Sequence, residues 1–335
     1  MNTVLLLVVA SAYFASALPL DDQVVGIEKT YQRFIEFPDD EGNPHIVDLE
    51  AEPDWDFLSD LARNPNNNQY FLYTRRNNNR AQTLRINDAA SIRNSNYNSR
   101  VPTVVVSHGW LNKQSSNVNQ RIRDAFLGRS DVNVIVVEWR RLAMSDYITA
   151  MRGVPAVGRA VGQFIRFVIN TVGGNLNDFH LIGFSLGSHV VGNAGRELGG
   201  RVARITGLDP AGPLWDNNNQ RLNRNDGVYV EAIHTDGSVA GYGIGTPIAR
   251  VDFFPNGGRS QPGCTTNVCD HNRSWELFAA TVTHNHLVGN RCDNMNQVSN
   301  NNCRGPALPM GNDNLRKSGN GIFRVNTGRR YPYFF

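Results

Sequence analysis

Residues 179–195, FHLIGFSLGSHVVGNAG, constrain this chain more than any other stretch. Phe179, His180, Leu181 and Ile182 read as a buried strand, and the small and apolar residues after Gly187 read as a helix. Between them Gly183-Phe184-Ser185-Leu186-Gly187 must turn the chain sharply from strand to helix. A serine at such a tip sits in strained backbone, and glycines two residues before and after it let strand and helix approach. Its hydroxyl then stands at the carboxyl end of a sheet, with a helix N-terminus behind it whose N–H groups favour a developing oxyanion. A serine so placed is a candidate nucleophile, and it needs a base and an acid from elsewhere in the chain.

The other apolar runs alternate between strand and helix. Residues 54–63 read as a short helix and 70–74 as a strand; the Asn-rich tracts around them read as solvent loops. Residues 100–107 carry Val101, Val104, Val105 and Val106, a β-branched run suited to a strand buried on both faces, and end in His108-Gly109-Trp110. A helix over 118–127, a second buried strand over 132–137 and a long helix over 147–172 follow. After the serine come strands over 202–208, 229–235 and 250–255. This order predicts an α/β fold with a mostly parallel sheet covered on both faces, its function at the carboxyl ends of the strands.

The ends of the chain bear on location. Residues 1–17 combine an apolar run, 4–10, with Ala15-Ser16-Ala17, a small-x-small cleavage site, although no Lys or Arg precedes the run. They read as a secretory signal peptide, and no later segment approaches the ~18 apolar residues of a membrane span. Cys264, Cys269, Cys292 and Cys303 form an even set, as expected of a secreted, extracellular protein. Adjacent pairing, Cys264 with Cys269 and Cys292 with Cys303, is one of three possible connectivities. Residues 18–52 read either as a propeptide or N-terminal arm, or as an edge strand and loop packed on the domain; residues 53–335 form the catalytic domain. A net charge of +3 without blocks of like charge points away from nucleic acid and from strongly acidic partners.

An acid and then a histidine are expected downstream of Ser185. Asp209 lies at a predicted strand end, 24 residues on (209 − 185). Glu231, inside a strand, and Asp236, in a Thr-Asp-Gly turn, compete less well. The later histidines are His189, His234, His271, His284 and His286. His189 lies one helical turn past the serine and is placed to pack beneath it. His234 ends a strand, and His271 follows Cys269 in a loop before a helical run at 274–280. Composition alone does not choose between them.

The motifs FLYTRRNNN (71–79), VVSHGW (105–110), VIVVEW (134–139), HLIGFSLGSHVVGNAG, ITGLDPAGP (205–213), IHTDG (233–237), VDFFPNGGRSQPGC (251–264) and CDHNRS (269–274) resemble the pancreatic lipase family of secreted α/β hydrolases. The resemblance runs from about residue 70 to the C-terminus and implies an α/β-hydrolase fold. It assigns the nucleophile to Ser185, the acid to Asp209 and the base to His271. The oxyanion hole falls on the backbone N–H groups of Trp110 and Leu186.

Three departures shape the expectation. Phe184 replaces the histidine that usually precedes the serine in vertebrate members, which leaves the glycine spacing intact. The family's lid lies between the two cysteines before the catalytic histidine, and here only Thr265, Thr266, Asn267 and Val268 separate them. Where the family's calcium loop has Glu and Asp this chain has Asn218 and Asn223, with only Arg221 and Asp226 matching, so no metal or other cofactor is expected. An end at Phe335 leaves no room for the C-terminal β-sandwich that binds colipase, so no colipase and a monomer are expected.

A missing lid implies an open site with permanently exposed apolar walls. Short-lid members are mostly phospholipases A1 or galactolipases. The resemblance therefore implies a secreted serine carboxylic-ester hydrolase cleaving the sn-1 acyl ester of phospholipids at a membrane or micelle surface. Triacylglycerol lipase and galactolipase are alternatives on the same triad. A non-catalytic lipid-binding or yolk-type storage protein is the alternative of another class, and such proteins usually lack the serine. Asn272-Arg273-Ser274 is a glycosylation sequon, but a glycan there would crowd His271.

Overall fold

The computed structural model describes residues 31–64 and 67–335. The signal-peptide reading of residues 1–17, and the arm up to residue 30, lie outside the described residues.

Two short strands, β1 (Phe34–Pro38) and β2 (Pro44–Asp48), pair as an antiparallel hairpin separate from the main sheet. Then follow α1 (Trp55–Arg63), β3 (Gln69–Tyr73), β4 (Gln82–Leu84), α2 (Ala89–Arg93), β5 (Thr103–Ser107), α3 (Asn117–Arg129), β6 (Asn133–Glu138), α4 (Arg140–Ala143) and α5 (Tyr147–Val172). The second half comprises β7 (Phe179–Phe184), α6 (Leu186–Glu197), β8 (Arg204–Leu208), β9 (Tyr229–Ile233), β10 (Val251–Pro255), α7 (Asn267–His284), β11 (Val288–Cys292), α8 (Met295–Ser299), β12 (Ala307–Pro309) and β13 (Gly321–Val325).

The sheet order is β12-β11-β13-β10-β9-β8-β7-β5-β6-β3-β4. From β13 to β6 every neighbour is parallel, and antiparallel strands finish both edges. This is the mostly parallel α/β sheet expected from the alternating runs, in the α/β-hydrolase arrangement that the family resemblance implied. Every residue of β5, β7, β8, β9 and β10 is buried, which is why their sequences read as unbroken apolar runs rather than alternating ones. One face packs on α5 and α6 through Val154, Val161, Phe164, Val190 and Val191. The other packs on α3 and α7 through Ile122, Phe126, Leu277 and Phe278.

Two layers of contact hold the hairpin to this body. An isolated two-stranded hairpin is marginal in water, so it depends on the surface beneath it. Ile35, Phe37 and Val47 turn inward and pack on the core, while Phe34 and Ile46 face outward and are exposed. At its turn Asp40 accepts from Asn112 Nδ2 at 2.5 Å and from Ser116 Oγ, and Glu41 pairs with Lys113 at 2.6 Å.

Glu231, weighed above as an acid, belongs instead to a buried charge cluster. It lies on β9 with no exposure and pairs with Arg204, while Lys317 Nζ donates to its other oxygen at 2.9 Å. Arg204 also donates to the carbonyls of Gly311, Asn312 and Asn314, so the cluster ties the 309–317 segment to the sheet. Burial alone would raise the Glu231 pKa, but the charges of Arg204 and Lys317 outweigh it and hold the carboxyl at about 2, below its ordinary 4.5. The folded pKa lies below the unfolded one, so this stabilisation is complete above about pH 4.5 and is lost as pH falls toward 2. Glu231→Gln should flatten the acid limb of the stability profile in that window. By leaving two buried cations without their anion, it should also cost about 3–5 kcal/mol at neutral pH, read from denaturant unfolding.

Candidate active site

Ser185 is the single residue between the end of β7 and the start of α6. Its φ of 54° and ψ of −123° put a side-chain-bearing residue in strained backbone. The flanking glycines permit this by their lack of a side chain. A Cβ on Gly183 would lie 2.1 Å from the Gly187 carbonyl oxygen, and one on Gly187 would lie 2.3 Å from that of Ser107. The Ser185 N–H donates to Leu208 O at 3.0 Å, which fixes the tip against the end of β8. Leu186 opens α6, so its N–H is among those a helix leaves without an intrahelical partner.

The segment that follows β5 runs against this tip. A Cβ on Gly109 would come within 2.9 Å of Ser185 Cβ, and Trp110 is the next residue. Buried His108 holds the segment: one ring nitrogen pairs with Gly109 O at 2.9 Å and the other with Glu138 Oε1 at 3.0 Å. Trp139 Nε1 donates to His108 O at 3.0 Å and the two rings stack. Burial would raise the Glu138 pKa, but the His108 contact and the N–H groups of Gln114 and Arg140 leave it below the ordinary value. Asn112 Oδ1 accepts from the Gly109 N–H at 3.1 Å. The sequence reading assigned no role to His108, Glu138 or Asn112. Its available signal was that β5 and β6 each end in a polar residue followed closely by tryptophan.

The residues expected as acid and base come from the end of β8 and from α7. Asp209 follows β8 at φ 39°, fully buried, with its N–H donating to Ile233 O at 2.8 Å. One carboxylate oxygen accepts from the N–H groups of Thr235 at 2.7 Å and Asp236 at 3.1 Å. The other meets His271 Nδ1 at 2.6 Å. With both carboxylate oxygens thus engaged, the ring is held in one orientation. Among the described residues His271 Nε2 is buried without a hydrogen-bond partner. It makes no hydrogen bond to Ser185 Oγ, a contact that in such pairs often tightens only with substrate bound.

Two other histidines are excluded by their bonds. His234 resembles His271 in facing a buried carboxylate, Asp252, at 2.9 Å, but its second nitrogen pairs with Ile244 O at 2.8 Å, so both are occupied. His189 accepts from Leu222 N, donates to Ala211 O and stacks on Trp215 beneath the elbow, where burial drops its pKa to about 3.

Both adjacent disulfides are formed, Cys264–Cys269 and Cys292–Cys303. The first bridges the start of α7, which begins at Asn267, with Thr266 accepting from Cys269 N as its N-cap. The sequence reading began this helix at 274. The disulfide and cap nucleate it earlier, so His271 lies in the helix and not in a preceding loop. The short segment between these cysteines thus supplies the N-cap, Thr266, and the first two residues of α7.

The expectation of an open site is corrected. Ile35, Phe37 and Val47 of the hairpin, with Trp110, Tyr147, Ala211, Pro213 and Tyr242, close over Ser185 and leave a cavity of about 10 Å³, room for at most one water. Ser185 is 4% exposed and His271 1%. The apolar walls are covered because the hairpin's inward face supplies matching apolar side chains, which composition alone did not reveal.

The residues of the family's calcium loop do not fit a divalent cation. Asp226 pairs with Arg196 at 3.1 Å and accepts from Asn223 N, while Asn218 Oδ1 accepts from Gln220 N. The same guanidinium takes the Asn193 and Gln220 side-chain oxygens and the Arg221 carbonyl. Burial raises the Asp226 pKa to about 6 despite Arg196. A fixed organic cation therefore gathers the oxygens that a metal would need.

Comparison with known proteins agrees with the motifs. The chain matches the Lipase family model over residues 57–315. Pancreatic triacylglycerol lipase of Myocastor coypus is 32% identical, over 91% of this chain and 73% of that protein. Pancreatic lipase-related protein 2 of Homo sapiens is 37% identical, over 65% of this chain and 49% of that protein. The matches thus span between about half and three quarters of these relatives' length. Among solved structures, a putative carboxylesterase from Lactobacillus plantarum WCFS1 aligns over 47% of this chain and 71% of that one, with 16% identity and a TM-score of 0.27. From the family match across most of its length, the chain belongs to the pancreatic lipase family of lipid ester hydrolases.

Proposed function

We propose that this chain is a secreted serine hydrolase of lipid esters with the specificity of a phospholipase A1. The observation that carries the catalytic reading is His271, clamped through Nδ1 to a buried, fully hydrogen-bonded Asp209 while Nε2 stays uncommitted. Ser185 Oγ attacks the carbonyl carbon of the sn-1 ester as His271 Nε2 takes its proton. Asp209 fixes the tautomer and stabilises the imidazolium, and the Trp110 and Leu186 N–H groups receive the oxyanion. Collapse expels the lysolipid alcohol, which takes the proton back from His271. Water then hydrolyses the acyl-enzyme by the same route.

Substrate preference rests on the Cys264–Cys269 bracket. Its four residues include the cap and the first two residues of α7, so nothing in it reaches across the serine as a family lid would. A large polar headgroup can then sit on that side of the site. Triacylglycerol hydrolysis is the second reading, since relatives carry that name. The disulfides fit an extracellular enzyme, and the Arg196 guanidinium fits calcium independence. In this reading the enzyme works as a monomer at a lipid surface without colipase.

The purified protein should release fatty acid from phosphatidylcholine faster than from triolein, with monogalactosyl diglyceride as a third substrate. Equal or greater rates on triolein, with a jump above its solubility limit, would reverse the preference. Ser185→Ala should lower the rate by about three orders of magnitude or more while the protein stays folded. Full activity in that variant would sink the Ser185 mechanism, whereas no reaction of the wild-type serine with a fluorophosphonate under any condition would return the chain to the lipid-binding class. Excess EDTA should leave turnover unchanged, and a loss restored by Ca²⁺ would overturn the metal-free reading.

A further inference from the structure

Among the described residues of the N-terminal arm, 31–48 bear on the serine most directly. Phe37 makes the most aromatic contacts. Its ring centroid lies 5.4 Å from that of Trp110, 4.6 Å from Tyr242 and 6.1 Å from His271. Phe37 thus contacts the oxyanion segment and the base at once, and with Ile35 and Val47 it fills the space an acyl ester would enter. Tyr31 goes further: a Cβ on Gly212 would lie 2.1 Å from its hydroxyl, so it is seated against the backbone after Asp209-Pro210-Ala211.

The fastening is polar and falls on the same machinery. Asn112, which accepts from the Gly109 N–H, donates through its other atom to Asp40. Lys113 and Ser116 bind Glu41 and Asp40. On the opposite side Tyr242 donates its hydroxyl to Glu36 O at 2.8 Å. The hairpin therefore bridges the oxyanion segment and the loop packed on Asp209 and His271. A cavity of about 10 Å³ leaves no room beside Ser185 for an acyl chain while the hairpin is in place.

We infer that the N-terminal hairpin, residues 34–48, is an autoinhibitory cover that shields Ser185. The inference rests on Ser185 being the nucleophile. The covered state lowers the fraction of molecules able to bind substrate, and the apparent rate falls by that fraction.

The test uses the full chain carrying a site-specific protease sequence inserted between Glu52 and Pro53. Labelling by a fluorophosphonate and hydrolysis of the soluble ester p-nitrophenyl butyrate are measured before cleavage, and again after cleavage and removal of the released segment. Both rates should rise at least about tenfold, and Ser185→Ala in the cleaved form should abolish them. A second variant, Ile35→Ser with Phe37→Ser in the uncleaved chain, alters only the hairpin and should show the same rise even where the cleaved chain proves unstable. If the intact chain already reacts as fast as both altered forms, the cover is disproved while the nucleophile stands. If no folded form labels at all, the assignment of Ser185 falls, and the cover with it.

Discussion

Everything at this site depends on a steric constraint: the backbone of α6 passes within van der Waals contact of the ends of β7 and β5. The Cβ positions of Gly183 and Gly187 fall on carbonyl oxygens at 2.1 and 2.3 Å. That squeeze drives Ser185 to positive φ, which costs about 1–3 kcal/mol. Burial of the flanking Ile182, Phe184 and Leu186, at about 1.5–3 kcal/mol for each such side chain, exceeds the strain severalfold. The tip is therefore held rigidly by the sheet it interrupts. The same approach brings the helix N-terminus and the segment after β5 to the serine, so nucleophile and N–H donors follow from one packing event.

Around that tip, buried polar groups are satisfied in pairs. His108 with Glu138 shapes the segment after β5, and Asp209, with two backbone donors and His271, shapes the other side. Buried carboxylates are tolerable only when fully hydrogen-bonded, and each of these is. His234 with Asp252 shows what distinguishes support from chemistry. The charge pairing is the same, but there the second ring nitrogen is occupied by Ile244 O. His271 keeps its second nitrogen uncommitted, which is what a group that is to take a proton requires.

The hairpin illustrates how the absence of one device is met by another segment. A four-residue disulfide bracket has no length to span a serine site, yet Ser185 is as buried as the core. The inward triplet Ile35, Phe37 and Val47 removes apolar walls from water, while the acidic turn at Asp40 and Glu41 fixes the register against Asn112 and Lys113. Each strand is too short to be stable alone, so its position reports the surface on which it lies.

The sequence by itself determined the elbow, the parallel core strands and the identity of the triad candidates, because buried β-branched runs and glycine spacing are local signals. It left unread β4, β11, β12 and β13, short strands whose pairing depends on a neighbour already in place. Choosing His271 over His234 by residue chemistry alone was beyond it, since each faces a buried carboxylate and the difference is whether a distant carbonyl occupies the second ring nitrogen. Tertiary structure alone decided that Glu231 belongs to a buried cluster with Arg204 and Lys317, that a guanidinium holds the Asp226 carboxylate, and that the arm at 34–48 lies over the serine. Those outcomes rest on contacts between residues tens to hundreds of positions apart, and local periodicity carries no information about them.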